Sequence, residues 1–217
     1  MLNKTFLVTA GPTHEKIDPV RFIGNYSSGK MGYAIATSLA ESGAEVILVS
    51  GPTALSISHP NIRKIDVTSA EEMYHAAVEA FPSCDGAVMS AAVADYAPVK
   101  KEEQKVKRGE GNYTIDLKPN PDIAASLGKI KKEGQLLVGF ALETHDEETN
   151  AQRKLEKKNL DFIVLNSLQD KGAGFQYDTN QITIIERNGK QHRFELKPKT
   201  EVAADIVNVM IDMMERK

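Results

Sequence analysis

The stretch TFLVTAGPTHEKIDPVRFIGNYSSGKMG, residues 5–32, starts with an apolar run of strand length and ends where a helix is expected to begin. The same succession of apolar run and amphipathic segment recurs along most of the chain. It predicts an α/β fold with a Rossmann-like, mostly parallel sheet flanked by helices. Such a sheet binds its ligands at the carboxyl ends of its strands. Strands are predicted at 5–10, 45–50, 63–67, 86–92, 136–142 and 161–166, and helices at 29–42, 69–81, 121–133 and 146–159.

Two further segments depart from this alternation. Residues 178–196 contain two β-rich runs joined by Asn188-Gly189, which predicts a C-terminal β-hairpin at about 181–196, followed by a terminal helix at 199–215. Residues 95–113 are highly charged and lack apolar periodicity. They read either as a solvated surface loop or as a flexible flap that closes over an anionic ligand. Since no linker divides the chain, residues 1–217 are predicted to form a single domain.

The composition narrows the class of protein. A net charge of -3 over 217 residues gives no general basic field for nucleic acid, so an anion site must be local. No apolar run approaches the length that a membrane span needs, and no leader precedes the first strand. Cys84 is the single cysteine and precedes an apolar run, so we expect a small buried residue rather than a nucleophile. These features predict a cytoplasmic protein without nucleic-acid or membrane partners.

Residues 24–32, GNYSSGKMG, match two familiar motifs by eye. As G-x-x-x-x-G-K they resemble a P-loop, but Met31 stands where a P-loop needs Ser or Thr for magnesium. A P-loop also follows its strand directly, whereas here the segment 11–23 intervenes. As Y-x-x-x-K, Tyr26 and Lys30 imitate the catalytic pair of short-chain dehydrogenases, whose first strand leads into a glycine-rich turn that TAGPTHEKIDP does not provide. We therefore reject both readings.

Ser27, Ser28 and Gly29 precede the predicted helix at 29–42. The free N–H groups and the positive dipole end of a helix start form an anion site. The alternative is that one of the serines merely caps the helix. A second helix start is clearer, because Ser69 and Glu72 have the spacing of a capping box.

Six segments together resemble one enzyme family: VTAGPTHEKIDPVRFIGNYSSGKMG, SAAVADY, KVKR, KPNPDI, GFALET and KKNLDFIVLN. They are similar, in order and at compatible spacing, to the phosphopantothenoylcysteine synthetases (phosphopantothenate–cysteine ligases) of the bacterial, CTP-dependent type. The resemblance implies a ligase of coenzyme A biosynthesis that joins 4'-phosphopantothenate to L-cysteine. It implies an acyl-cytidylate intermediate, with release of pyrophosphate and CMP.

The resemblance also implies roles for individual residues. Lys105 matches the lysine of a flap that acts at the α-phosphate, and the neighbouring Lys107 and Arg108 could reinforce it. Asn25 matches an asparagine that contacts the acyl intermediate, and Arg21 matches an arginine of the cysteine step. The positions matching the nucleotide site are Ser27, Ala91, Ala92, Asp95, Asn120, Pro121, Asp122, Ile123, Phe140, Lys154 and Lys158.

The implied co-substrate is CTP, with Mg²⁺ or Mn²⁺ as the accompanying ion, although no residue here proves cytosine over adenine. The resemblance and the exposed hairpin ribbon both predict a homodimer. Many bacterial members carry an upstream flavin-dependent domain, so a phosphopantothenoylcysteine decarboxylase, fused or separate, is an expected partner, and no flavin is expected in this chain. Two alternatives remain open on the sequence: a Rossmann-like NAD(P)-dependent oxidoreductase and a nucleotide-binding module without catalysis.

Overall fold

A computed structural model describes residues 1–143, 147–167 and 177–216. The five helices among them are α1 (Lys30–Glu41), α2 (Ala70–Ala80), α3 (Ile123–Ile130), α4 (Glu147–Lys157) and α5 (Lys199–Glu215), with a short 3-10 turn at Phe81–Ser83. The strands are β1 (Thr5–Ala10), β2 (His14–Lys16), β3 (Phe22–Gly24), β4 (Glu45–Ser50), β5 (Ile62–Asp66), β6 (Gly86–Met89), β7 (Tyr96–Pro98), β8 (Leu117–Pro119), β9 (Leu136–Glu143), β10 (Phe162–Ser167), β11 (Thr179–Asn180), β12 (Ile182–Glu186), β13 (Gln191–Arg193) and β14 (Lys197–Pro198).

Eight strands form the main sheet in the order β13-β12-β10-β9-β6-β1-β4-β5. The six strands from β10 to β5 pair in parallel, and β12 and β13 add an antiparallel edge. The chain runs outward from β1 to β4 and β5, and then returns to the other side of β1 at β6. This reversal is the switch point at which doubly wound sheets bind ligands. The predicted α/β fold, with its C-terminal hairpin and terminal helix, is confirmed.

Helices cover both faces of the sheet because alternate strand residues point in opposite directions. Phe6 and Val8 belong to a core shared with α1 and α5. Leu7 belongs to the opposite core, where Met73 of α2 and Leu127 of α3 also pack. Burial on both faces explains why the central strands read as continuous apolar runs. Within the residues that the structure describes, no helix has the length and apolar character of a membrane span.

Several predicted boundaries differ from the observed ones. Strand β6 ends at Met89, not at residue 92, because Ala91 N–H turns to the Thr9 hydroxyl (3.3 Å) and Ala92 N–H to Gly11 O (2.9 Å). Helix α3 begins at Ile123, not at residue 121, because Asp122 caps it. It ends at Ile130, and Gly134 lies beyond it in a left-handed conformation. The predicted start of α4 at residue 146 lies outside the described residues.

Three small two-stranded sheets were not predicted, namely β2–β3, β7–β8 and β11–β14. Strands β2 and β3 form a hairpin inserted between β1 and α1. Strands β7 and β8 pair with each other, so the predicted flap is largely the loop of a second ribbon, not an unpaired segment throughout. The predicted C-terminal hairpin is part of the main sheet: β12 pairs with β10, and β13 forms the edge strand on that side.

Candidate active site

A cavity of about 1010 Å³ opens at the carboxyl ends of β1, β6 and β9, beside the switch point. The start of α1 forms one wall and the segment that follows β6 forms another. The start of α3 and the end of α4 complete it. All the residues predicted for the nucleotide, together with Asn25, contribute to its lining. The fold therefore brings together groups that are spread over much of the chain.

The start of α1 lies at this cavity. Gly29, the N-cap residue, has a φ of 80° and, as a glycine, supplies no side-chain cap. Ser27 Oγ accepts the N–H of Gly29 at 3.3 Å, and Gly29 rather than either serine occupies the N-cap position. A Cβ on Gly29 would lie 3.3 Å from the Cα of Gly11, and one on Gly32 would lie 2.6 Å from Ala10 Cβ. These close approaches place the positive end of the helix directly at the end of β1.

Asn25 fastens the segment that follows β6. Its side-chain amide donates to Ala92 O at 3.0 Å and to Val93 O at 3.2 Å. The adjacent Ala94 N–H donates to the buried hydroxyl of Thr13 at 3.0 Å. These contacts hold the backbone of residues 91–94 against the cavity, where short alanine side chains leave it accessible.

The residues before α3 form a third wall with internal support. Asn120 donates its backbone N–H to Asp95 O and its side-chain amide to Ala94 O, both at 2.8 Å. Asp122 accepts the N–H of Ala125 at 3.0 Å and forms an ion pair with Lys158 at 3.0 Å. Burial alone would raise the Asp122 pKa, but the Ala125 N–H and Lys158 outweigh it and lower the pKa. Lys158 is therefore partly neutralised before any ligand binds.

Phe140 and Lys154 come from opposite sides of the cavity. Phe140 lies within β9, opposite Val164 of β10, and packs partly against the core, while it also lines the cavity. Lys154 lies on α4, and Lys157, one turn along, lines the same space. The aromatic ring offers a stacking surface and the lysines offer charge for phosphates.

Arg21 and Lys105 lie away from this cavity. The Arg21 guanidinium pairs with Asp18 and donates to Val106 O at 2.9 Å. Lys105 is exposed on the flap, next to Val106. Neither residue is among the cavity lining, so the structure brings them close to each other rather than to the predicted nucleotide residues. Their catalytic roles stay predictions.

Several polar residues at the cavity were not predicted from the sequence, among them Lys30, Asn166, Asn180 and Lys199. Lys30 pairs with Asp178, and the Asn180 amide donates to Asn166 Oδ1 at 3.1 Å. Lys199 is buried and donates to Tyr177 O at 2.6 Å. Burial, and then the charge of Lys30, lower the Lys199 pKa. Asn166 could have been predicted, because it is a polar residue at the end of the apolar run of the predicted strand 161–166. Nothing in the local sequence distinguishes Lys199 from other lysines.

The cavity suits a metal ion that arrives with phosphates. Among the described residues, no group of three or more His, Cys, Asp or Glu side chains could hold a metal ion. The cavity offers the carboxylates of Asp95 and Asp122, and the second is paired with Lys158. A site with few protein carboxylates is typical of Mg²⁺ bound chiefly by nucleotide phosphates and water.

Cys84 takes no part in this site. It is buried, its thiol donates to Ala80 O at 3.3 Å, and burial raises its pKa. The prediction of a buried small residue is confirmed, and the raised pKa disfavours the reactive thiolate.

Comparison with known proteins identifies the family. The chain is 58% identical over 207 residues to a cysteine/cysteine sulfinic acid decarboxylase from an unknown prokaryotic organism, covering 95% of this chain and 58% of that protein. It is 44% identical over 204 residues to the coenzyme A biosynthesis bifunctional protein CoaBC of Bacillus subtilis (strain 168), covering 94% of this chain and 50% of that protein. The chain thus spans about half the length of these curated relatives.

A crystal structure of the C-terminal domain of a coenzyme A biosynthesis bifunctional protein CoaBC has the same fold. It superimposes with a TM-score of 0.84 at 41% identity and covers 100% of both chains. The family described as the DNA/pantothenate metabolism flavoprotein C-terminal domain matches residues 1–214. The chain therefore belongs to the family of the DNA/pantothenate metabolism flavoprotein C-terminal domain.

Proposed function

We propose that this chain is a phosphopantothenate–cysteine ligase that joins 4'-phosphopantothenate to L-cysteine at the expense of CTP. One observation carries the proposal: every residue that the resemblance assigns to the nucleotide, and Asn25, lines a single cavity at the switch point of the sheet. Membership in a family shared with CoaBC proteins supports the same assignment.

The proposed reaction has two steps. In the first, a carboxylate oxygen of 4'-phosphopantothenate forms a bond to the α-phosphorus of CTP, and pyrophosphate leaves with the electron pair of the broken P–O bond. In the second, the cysteine amine forms a bond to the acyl carbon, CMP leaves with the electrons of the acyl–oxygen bond, and the nitrogen loses a proton. The first step brings two anions together, and in the second step negative charge develops on the departing CMP, so the site must supply cations and N–H dipoles.

The cavity has such groups in two places. At one end, the backbone N–H groups at the start of α1 and the side chains of Lys30 and Lys199 offer donors for phosphate oxygens. Across the cavity, Lys154 and Lys158 on the α4 side offer further positive charge. Phe140 of β9 lines the cavity, and a pyrimidine ring could stack on its side chain. In this proposal Asn25 positions the acyl group, because it already holds the backbone of residues 92 and 93.

The nucleotide is proposed to enter as its magnesium or manganese salt. Such an ion neutralises part of the triphosphate charge and orients its oxygens. Asp95 is the cavity carboxylate best suited to support it, because Asp122 is engaged with Lys158 and the Ala125 N–H.

A pyrophosphate assay with single omissions tests the ligase. Protein, CTP, 4'-phosphopantothenate, cysteine and Mg²⁺ should release pyrophosphate and form the amide, and omission of cysteine should stop amide formation. Replacing CTP by ATP tests the nucleotide, and a preference for ATP would contradict the bacterial type. No pyrophosphate above a control without protein would exclude the ligase. A change in the absorbance of added NAD(P)H would favour the oxidoreductase. Cysteine alone, with CO₂ measured, tests the activity named for the first relative.

We further propose a homodimer, on a different surface from the predicted hairpin edge. The ribbons β2–β3 and β7–β8 and the residues that adjoin them expose large apolar side chains, including Val20, Phe22, Tyr26, Tyr96 and Val99. Exposed apolar clusters of this kind mark protein interfaces. Light scattering should therefore give twice the 23.8 kDa of one chain at micromolar concentration. A constant monomer mass across dilution would contradict the proposal.

A further inference from the structure

Asp18 is the centre of a hydrogen-bond cluster in the loop between β2 and β3. The sequence Asp18-Pro19-Val20-Arg21 favours a turn, with Asp at its first position and Pro at its second. Asp18 Oδ1 accepts the backbone N–H groups of Val20 and Arg21, both at 2.8 Å. This oxygen therefore serves the turn itself. The side chain is buried although it is charged.

The second oxygen of Asp18 serves another part of the chain. Oδ2 accepts the Nε of Arg21 at 3.0 Å and also pairs with its Nη2. The same Oδ2 accepts the backbone N–H of Val106, which lies in the flap, at 3.1 Å. Arg21 Nη2 in turn donates to Val106 O at 2.9 Å. The Asp18–Arg21 pair thus holds both the N–H and the carbonyl of one flap residue.

A further contact extends this attachment along the flap. The N–H of Glu102 donates to Ile17 O, in the same turn, at 2.9 Å. The flap is therefore fixed at residues 102 and 106, on either side of Lys105. Exposed loops without apolar contacts usually move freely, so these bonds set the position of this one. The hydrogen bonds from the Arg21 side chain are the main cause of a lowered Asp18 pKa and outweigh the opposing effect of burial. The buried carboxylate is therefore charged at neutral pH.

We propose that Asp18 is a positioning residue that, with Arg21, clamps the backbone of Val106 and thereby anchors the flap from which Lys105 would reach the nucleotide. The clamp follows from the contacts above, whereas its kinetic consequence rests on the proposed ligase activity. Arg21 has two roles in this arrangement: it completes the clamp, and its guanidinium is half exposed and faces the flap.

Asp18→Asn separates the two oxygens of the carboxylate. The amide oxygen can keep the turn contacts of Oδ1, but the NH₂ group replaces Oδ2 and cannot accept from Val106 or Arg21. Asp116→Asn is a matched control, because Asp116 is an exposed carboxylate beyond the flap. A role confined to the turn predicts that both variants behave like the wild type in the flap.

The clamp predicts a local change that needs no activity assay. In Asp18→Asn, hydrogen exchange at the Val106 amide should become about tenfold faster or more, and trypsin should cut faster after Lys105 and Lys107. For turnover, kcat should fall about tenfold or more, while KM for CTP stays within about twofold of the wild type. Asp116→Asn should change none of these.

Val106→Pro removes the N–H donor and leaves the Asp18–Arg21 pair in place, but it also fixes φ at residue 106 and restricts the backbone of Lys105. It should lower kcat as Asp18→Asn does, and it keeps the test decisive if Asp18→Asn fails to fold. Unchanged Val106 exchange in Asp18→Asn would overturn the clamp, and wild-type kcat in Val106→Pro would overturn the positioning role. A wild-type protein without pyrophosphate release would refute the ligase alone, and Val106 exchange would still decide the clamp.

Discussion

Replacing Asn25 by Asp or by Ala should separate the structural role of this residue from its electrostatic one. Both variants lose the two bonds from the side-chain amide to Ala92 O and Val93 O. Each such bond contributes about 0.5–1.5 kcal/mol, and an exposed residue lies toward the lower end of that range. Both variants should therefore unfold at nearly the same urea concentration, about 1 kcal/mol below the wild type in free energy of unfolding.

Only the Asp variant adds a negative charge beside the proposed acyl phosphate. At about 7 Å and an effective dielectric constant of about 20, two unit charges of the same sign repel by about 2 kcal/mol. That energy corresponds to about a thirtyfold lower rate. Asn25→Asp should thus have a kcat/KM about thirtyfold below that of Asn25→Ala. Because the acyl phosphate is the α-phosphate of CTP, part of this loss should appear as weaker CTP binding in the Asp variant alone.

Rapid quench followed by mass spectrometry measures the two steps separately. The acyl-cytidylate, the amide product and pyrophosphate should all form more slowly in the Asp variant, and calorimetric titration should show weaker CTP binding in the Asp variant than in the Ala variant. Equal turnover of the Asp and Ala variants would refute the reasoning, because the added charge would then meet no anion. An equal loss of CTP binding in both would assign Asn25 to the nucleotide instead.

Three further predictions concern the flap, the helix start and the α3 cap. Lys105→Gln should lower kcat about a hundredfold with folding unchanged, as loss of one transition-state donor does, and saturating CTP should slow tryptic cleavage of the wild-type flap. Gly32→Ala should lower the free energy of unfolding by about 1–3 kcal/mol, measured in urea, because its Cβ would lie 2.6 Å from Ala10 Cβ. Gly109→Ala, with no atom within 4 Å of the added Cβ, is its control and should change stability by less than about 0.5 kcal/mol. Because the Asp122 pKa is lowered on folding, its charge stabilises the protein above the unfolded pKa, so the urea midpoints of wild type and Asp122→Asn should converge as the pH falls through the folded value.

The sequence was sufficient for the main sheet because its central strands are buried on both faces and carry uninterrupted apolar runs. Helix α2 was equally legible: Glu72 N–H donates to Ser69 Oγ at 3.2 Å, and the predicted capping box is present. Local signals of this kind require no knowledge of distant contacts.

The β2–β3 hairpin could not be predicted, because its support lies elsewhere in the chain. His14 N–H donates to Thr68 O at 2.8 Å, and the buried Glu15 accepts the N–H of Ala70 at 2.8 Å. Strands of only three residues are not stable by themselves, and these two depend on such distant partners. The predicted end of β6, at residue 92, was wrong for the same reason, because Thr9 and Gly11 redirect the backbone after Met89.

The same contrast applies to the candidate site. Residues at the ends of neighbouring parallel strands must lie close together, so Ala91, Ala92 and Phe140 could be placed near one another from the strand pattern. Lys199 reaches the cavity through the two-residue pairing of β11 with β14, which the sequence does not signal. The positions of Arg21 and Lys105 depend on the Asp18 contacts and could not be predicted from the sequence either.

The close approach of Gly11 and Gly29 has a consequence for how this fold is recognised. In dinucleotide-binding proteins three glycines in one short motif serve the tight turn, the access of phosphate and the contact between helix and strand. Here Gly11, with a φ of 78°, lies at the end of β1, Gly29 begins the helix, and Gly32 packs on Ala10. The fingerprint is discontinuous: an inserted hairpin divides it along the chain, while the fold reassembles it in space. A search for contiguous motifs misses such a site, whereas a search for glycines that meet at a strand–helix junction finds it.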